Sequence, residues 1–194
     1  MSSVLLHVCC AHCAAYCVKH WQAIGDRVTA YWYNPNIHPH QEYLYRLEAA
    51  RALARNLNVP LLVSPDYDAV NYFRVVRESD GLRCRHCFRL RLGRTAKIAR
   101  EQGFDSFTST LLISPHQRHE LIAEAGRAAT RESGVAFLYE DLRKRYSDSR
   151  HITKPMDIYR QRYCGCMFSE WEACVGEEML DDISPWRCYW RCPC

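Results

Sequence analysis

The chain is short of the features that place a protein in a membrane, an export route or nucleotide chemistry. No stretch of its 194 residues approaches the ~18 consecutive apolar residues of a membrane helix. The opening MSSVLLHVCC has neither a basic start nor a long apolar stretch, so no secretory leader is read there. Neither GxGxxG nor a P-loop follows the first apolar run, and Asp26 beside Gly25 does not supply one. That argues against nicotinamide and ATP chemistry. Internal repeats and low-complexity linkers are missing too. The formal charge of +4 is too modest to establish a nucleic-acid partner by itself.

Cysteine is the residue in excess, with 12 in the chain. A domain of this length buries roughly 70% of its unfolded surface, so it needs no disulfides to hold a core. With no leader, a reducing cytoplasm is the expected location, and clustered cysteines there bind metal or do redox work. Three tight sets stand out: Cys9-Cys10, with Cys13 and Cys17 close behind; Cys84-Arg-His-Cys87; and Cys164-Gly-Cys166. Thiolates are soft ligands and redox groups, and tight pairs recurring at long separation tend to converge on one site.

The pattern between these sets alternates short β-branched runs with longer helical ones. Strands are expected at Val4–Val8, Val28–Tyr33, Val59–Val63, Ser106–Leu112 and Val135–Tyr139, with Pro60 placing the third at an edge. Helices are expected at Cys13–Ile24 and Gln41–Leu57. Strands separated by helices predict an α/β fold, a single domain whose mostly parallel sheet carries helices on both faces. Ligands in such folds bind at the carboxyl ends of the strands. Cys9-Cys10, Asn34–His38 and Ser114–His119 all fall on that rim.

Cys84 and Cys87 have the spacing of paired metal ligands, and with Cys9-Cys10 they offer four thiolates, enough for zinc or a 4Fe–4S cluster. Adjacent cysteines suit a structural zinc knuckle poorly. On opposing pleats they diverge, which favours a multi-iron target or two neighbouring metals. The plainer alternative is a Zn(Cys)4 staple. The glycine of Cys164-Gly-Cys166 lets two sulfurs approach, and a disulfide in so small a ring is the labile, redox-active kind; two further metal ligands are the alternative. Cys13 lies in a first helical turn, where the dipole lowers a thiol pKa. Cys17 reads equally as a buried apolar residue. Cys174, Cys188, Cys192 and Cys194 match no metal pattern.

Arg83, Arg85, Arg89, Arg91, Arg94, Lys97 and Arg100 surround the second pair; Arg143, Lys144, Arg145, Arg160 and Arg162 lead to the third, interleaved with Tyr146, Tyr159 and Tyr163. Basic and aromatic side chains together grip unpaired RNA, with Arg89 and Arg91 the expected contacts. His38 and Asp141 are candidate acids, although a helix cap is the default role for Asp141.

Six ordered strings carry a family likeness: LLHVCCAHC, YNPNIHPHQEY, RCRHCFRLRL, FTSTLLISPHQRHELI, FLYEDLRKRY and YRQRYCGCMFS. Together they resemble the QueH-type epoxyqueuosine reductases over about residues 4 to 169, leaving 170–194 as a cysteine-bearing tail. The resemblance implies a Rossmann-like, adenine-nucleotide-hydrolase-like layout in residues 1–169. It also implies reduction of the epoxyqueuosine epoxide in tRNA to the alkene. On these residues it implies iron–sulfur ligation by Cys9, Cys10, Cys84 and Cys87 and a redox-active pair at Cys164 and Cys166. Cys13 is the implied ligand of a second mononuclear metal, iron or zinc. An electron donor is required, and no membrane. The rival from another class is a zinc-stapled RNA-binding protein without catalysis. His12, where the family often has proline, and the tail are departures.

Overall fold

The computed structural model describes residues 1–77 and 82–174. Five strands form one parallel sheet: β1 (Ser3–His7), β2 (Arg27–Trp32), β3 (Leu61–Val63), β4 (Ser106–Ser109) and β5 (Ala136–Phe137), in the order β3-β2-β1-β4-β5. Among the described residues seven α-helices accompany them: α1 (Ala11–Ala23), α2 (His40–Asn56), α3 (Ala69–Arg77), α4 (Arg83–Glu101), α5 (His119–Ser133), α6 (Tyr146–Thr153) and α7 (Met167–Cys174).

The central strand shows why the sheet is covered on both faces. Val4, Leu5 and Leu6 are all fully buried, the continuous apolar run that a parallel strand between two helical layers requires. Alternation then sorts the side chains. Leu6, Val28, Ala30 and Trp32 pack with α1 and α2 in one core. Leu5, Tyr31 and Phe107 pack with α4 and α5 in the other. Helix α1 contributes Ala11, Ala14, Ala15, Val18 and Trp21, a stripe at helical spacing. The expected α/β architecture is therefore present.

Three strands are shorter than the apolar pattern predicts. β3 begins at Leu61, and the Pro60 carbonyl before it accepts from Ala30 N at 2.9 Å. It is an edge strand, as the proline required. β4 stops at Ser109, whose hydroxyl accepts from Leu111 N at 3.2 Å and turns Thr110–Ile113 into a 3₁₀ helix. Those four residues stay buried, so the apolar run continues as a turn. β5 keeps only two residues. Helix α7 crosses positions 169 and 170, and Glu172 within it pairs with Arg83 at the start of α4. Among the described residues no helix is long and apolar enough to cross a membrane.

One contact fixes how closely α5 approaches β5. A Cβ at Gly126 would lie 2.1 Å from the Phe137 ring. Gly126→Ala should destabilise the fold by about 1–3 kcal/mol through overpacking, against the roughly 1 kcal/mol that alanine gains in a helix. Urea unfolding should also show Phe137→Leu relieving part of the loss; a stabilised single variant would show that the helix can simply shift.

Candidate redox and metal centre

The first cysteine group forms where the central strand stops. β1 ends at His7, whose buried ring is kept neutral by desolvation, its pKa lowered to about 4. Its Nε2 faces the Tyr33 carbonyl at 3.2 Å and must donate, leaving Nδ1 to accept from the Ser109 hydroxyl at 2.9 Å. Beyond this anchor Cys10 takes the N-cap of α1 in extended conformation, and its Sγ accepts from Cys13 N at 3.3 Å. Cys9, Cys10 and Cys13 therefore place their sulfurs within 4.8 Å of one another, enough to hold a metal ion. The divergence expected of adjacent cysteines on a strand does not arise, because the strand is already over.

The three sulfurs are not equivalent. Hydrogen bonds from Cys13 and Cys9 hold the Cys10 thiol well below its ordinary pKa. Cys13 moves the other way, its thiol kept protonated as it donates to Cys10. The lowering expected at Cys13 falls instead on Cys10, through these hydrogen bonds. Cys9 is bracketed by Thr110, whose Oγ1 accepts from Cys9 N at 3.1 Å and donates to its sulfur at 3.2 Å. Cys17 is 1% exposed and burial pushes its thiol far up, so it is a core residue.

The second group lines a small neighbouring cavity of about 30 Å³, where Cys84, Cys87, Cys164 and Cys166 meet Arg91 and Gln117. Cys87 comes from α4, and burial raises its thiol pKa to about 12 against the pull of Arg91. Burial likewise raises Cys164 to about 11, with Cys166 adding to it. Gln117 Nε2 donates to Cys164 Sγ at 3.6 Å. Cys166 sits deeper, accepting from Ser169 N at 3.4 Å. Cys164 and Cys166 are free thiols, whereas Cys84 is disulfide-bonded and must be reduced before it can ligate. Arg91 stands between the groups. It is 2% exposed, and Nε and Nη2 meet no hydrogen-bond acceptor. Its charge acts on Cys87, then Cys164, then Cys9.

The Cys164 loop is held by residues that sequence reasoning missed. Arg46, buried in α2, donates through Nη1 to the Cys164 carbonyl at 2.8 Å and through Nη2 to the Tyr163 carbonyl at 3.1 Å. Its Nε donates to Glu42 at 2.6 Å. An Arg–Glu pair four apart reads as a solvated helix face, so nothing short of the fold reveals it. The Asn34–His38 segment forms the rest of the seat: His38 N donates to the Gly165 carbonyl at 2.7 Å, and Tyr163 Oη donates to the His38 carbonyl. Gly165 has φ 144°, and a Cβ there would lie 3.1 Å from Asn36 and Ile37. Only glycine suits that position.

Neither candidate acid is placed to deliver a proton easily. His38 is stacked on Phe73 with ring centroids 4.7 Å apart, and burial lowers its pKa to about 4. Asp141 is held ionised by Arg143, whose backbone N–H it also caps at 3.1 Å. The basic stretch on α4 is largely engaged. Arg83 pairs with Glu172, Arg85 and Arg89 with Glu124, and Lys97 with Glu101. Arg91, being buried, cannot meet an RNA phosphate. Cys174 is exposed at the end of α7, while Cys188, Cys192 and Cys194 lie outside the described residues.

Two outcomes follow. Arg46→Gln should cost about 3–5 kcal/mol in urea unfolding, because it leaves Glu42 buried without its partner; a loss below about 1 kcal/mol would mean that the clamp is not what holds the loop. In the reduced, metal-free protein, Cys164 should stay protonated near neutral pH. Its alkylation rate should climb only as pH approaches 11, and a plateau already reached at pH 8 would contradict the burial argument.

The family model described as epoxyqueuosine reductase QueH matches residues 4–172. A Dehalococcoides mccartyi protein named epoxyqueuosine reductase QueH is 53% identical over 169 residues, spanning 87% of this chain and 93% of that protein. A Thermotoga maritima protein of the same name is 35% identical over 87% of this chain and 91% of its own. Among solved structures, the "predicted subunit of tRNA methyltransferase" from Methanocaldococcus jannaschii superposes with TM-score 0.52 at 11% identity, covering 80% of this chain and 88% of that one. At that identity the likeness is one of fold. Every cysteine of both groups lies inside the matched segment, and the chain belongs to the QueH family of epoxyqueuosine reductases, which are oxidoreductases.

Proposed function

We propose that this chain carries out the last step of queuosine synthesis on tRNA, reducing the epoxide of epoxyqueuosine to the alkene in the cytoplasm. Family membership supports the reaction and the substrate. The observation that carries the chemistry is the meeting of two cysteine groups at one rim with a buried, acceptor-poor Arg91 between them.

The donor set fits an iron–sulfur group for a reason beyond the cysteines themselves. A guanidinium is stable in the interior only beside compensating negative charge. Arg91 has sulfur neighbours and two N–H-bearing nitrogens without acceptors, so anionic sulfur ligation would satisfy it. In this reading Cys9, Cys10, Cys84 and Cys87 hold a 4Fe–4S cluster, and Cys13 turns to a second mononuclear metal, iron or zinc. When bound, such a group supplies electrons one at a time and an open iron position as a Lewis acid for the epoxide oxygen.

The chain's own thiols match the stoichiometry. Opening the epoxide breaks two C–O bonds, takes up two electrons and two protons, and releases water. Cys164 and Cys166 lose two protons and two electrons as their S–S bond forms. An electron donor outside the chain then restores the dithiol. Gln117 steadies the Cys164 sulfur, Ser169 the Cys166 sulfur, and the Arg46 clamp keeps both at the cavity. The catalytic unit is residues 1–169, with 170–194 a cysteine-bearing tail.

Protein purified without oxygen should contain about four irons and four acid-labile sulfides per chain, and Cys164→Ser should lose multiple turnover with a chemical reductant. Zinc alone, without sulfide after reconstitution, would favour the zinc-stapled RNA-binding alternative. Undiminished turnover in the serine variant would remove the dithiol from the reaction.

A further inference from the structure

The cations of this chain divide sharply into those already engaged and those that are not. On α4, Arg83, Arg85, Arg89 and Lys97 pair with Glu172, Glu124 and Glu101, and Arg94 lies over the Tyr33 ring. Arg143 and Arg145 pair with Asp141 and Asp148. Among the described residues no carboxylate pairs with Arg150, Lys154 or Arg160, and all three are exposed. These three line one open groove of about 540 Å³ with His12, His151 and Asp157, the last its only carboxylate among the described residues. Arg150 and Lys154 stand four residues apart on one helical run, so their side chains emerge on the same side about 5–6 Å apart.

The groove ends at the first cysteine group. His12, between Cys10 and Cys13, bonds through Nδ1 to Thr153 Oγ1 at 2.6 Å. Ser149 Oγ accepts from Tyr16 N at 3.0 Å and donates to the His12 carbonyl. The groove wall is thus fastened to the helix that presents Cys13. Tyr159, next to Arg160 in sequence, lies against Tyr45 with ring centroids 5.3 Å apart, and both rings are exposed. Unengaged cations beside exposed aromatic faces are the chemistry that grips a nucleic-acid strand with unpaired bases, phosphates on the cations and bases on the rings.

We propose that the groove of Arg150, Lys154 and Arg160 is where RNA phosphates dock, guiding the substrate strand to the cysteine rim. This rests on the reading that tRNA is the substrate. It moves the RNA contact away from Arg89 and Arg91 of α4 and keeps only Arg160 of the second basic group that the sequence offered.

The probe is an end-labelled, unmodified tRNA transcript, followed by fluorescence anisotropy between 50 and 200 mM salt. The Arg150→Gln/Lys154→Gln/Arg160→Gln variant should bind about tenfold or more weakly, and its salt slope should fall by roughly 2–3, as expected for three lost phosphate contacts. Its iron content and thermal unfolding should match the parent. The Arg85→Gln/Arg89→Gln/Lys97→Gln control should move affinity far less. Lys154→Glu alone provides a second, less perturbing variant and should weaken binding in the same direction. Parent-like affinity and slope in both groove variants, with the parent binding well, would overturn the groove and leave the substrate reading intact. So would a loss confined to the α4 control. Failure of the parent itself to bind tRNA at low salt would sink the substrate reading and the groove together.

Discussion

Burying the Arg46 guanidinium removes a permanent charge from water, and the fold tolerates this only because every face of the fork is met. Glu42 takes Nε, and the carbonyls of Cys164 and Tyr163 take the two terminal nitrogens. Those carbonyls lie 117 and 118 residues away in sequence, so the charge can be buried only when the far end of the chain has folded back onto α2. The loop in turn has little freedom once there. Gly165 must adopt its positive φ so that one carbonyl faces Arg46 and the next accepts from His38 N. The position of the Cys164–Cys166 pair is therefore set by electrostatic necessity in another part of the molecule.

Much of this was visible in the sequence, and what was hidden was hidden for physical reasons. Apolar runs at alternating period placed the parallel sheet, its edge strand and the chemistry-bearing rim, because burial on two faces leaves a direct trace in residue type. The same signal overran β4, since Thr110–Ile113 is equally buried as a turn and only the Ser109 cap decides between them. The cysteine sets were legible; what failed was the divergence expected of Cys9 and Cys10, because a pleat argument was applied to two residues that lie beyond the strand. Runs of arginine were legible as charge but not as free charge. Glu124 and Glu172 reach back to α4 from α5 and α7, and no one-dimensional count can see that.

Cys10 and the cavity thiols sit in opposite electrostatic settings. At the cap of α1, donors converge on Cys10 and favour its thiolate, the form that binds metal. Around the cavity, desolvation keeps Cys87 and Cys164 protonated despite Arg91. In the first group Cys10 alone is thus held as a thiolate, with Cys9 and Cys13 pushed the other way, and in the second Cys164 retains its proton until charge arrives to draw it off. Arg91 couples the two, since any negative charge gathered on one side is felt on the other through a single buried cation.

The spread of the site along the chain also has a consequence during synthesis. Cys9, Cys10 and Cys13 leave the ribosome first, and the loop that Arg46 must capture follows about 150 residues later. At about 5–20 residues per second, the trio spends roughly 8–30 s in the cell before its covering residues exist. Nascent chains in that interval present a thiolate-forming cap with no lid, open to oxidants and to whichever metal is most available. The order of emergence makes metal identity a matter of timing as well as affinity.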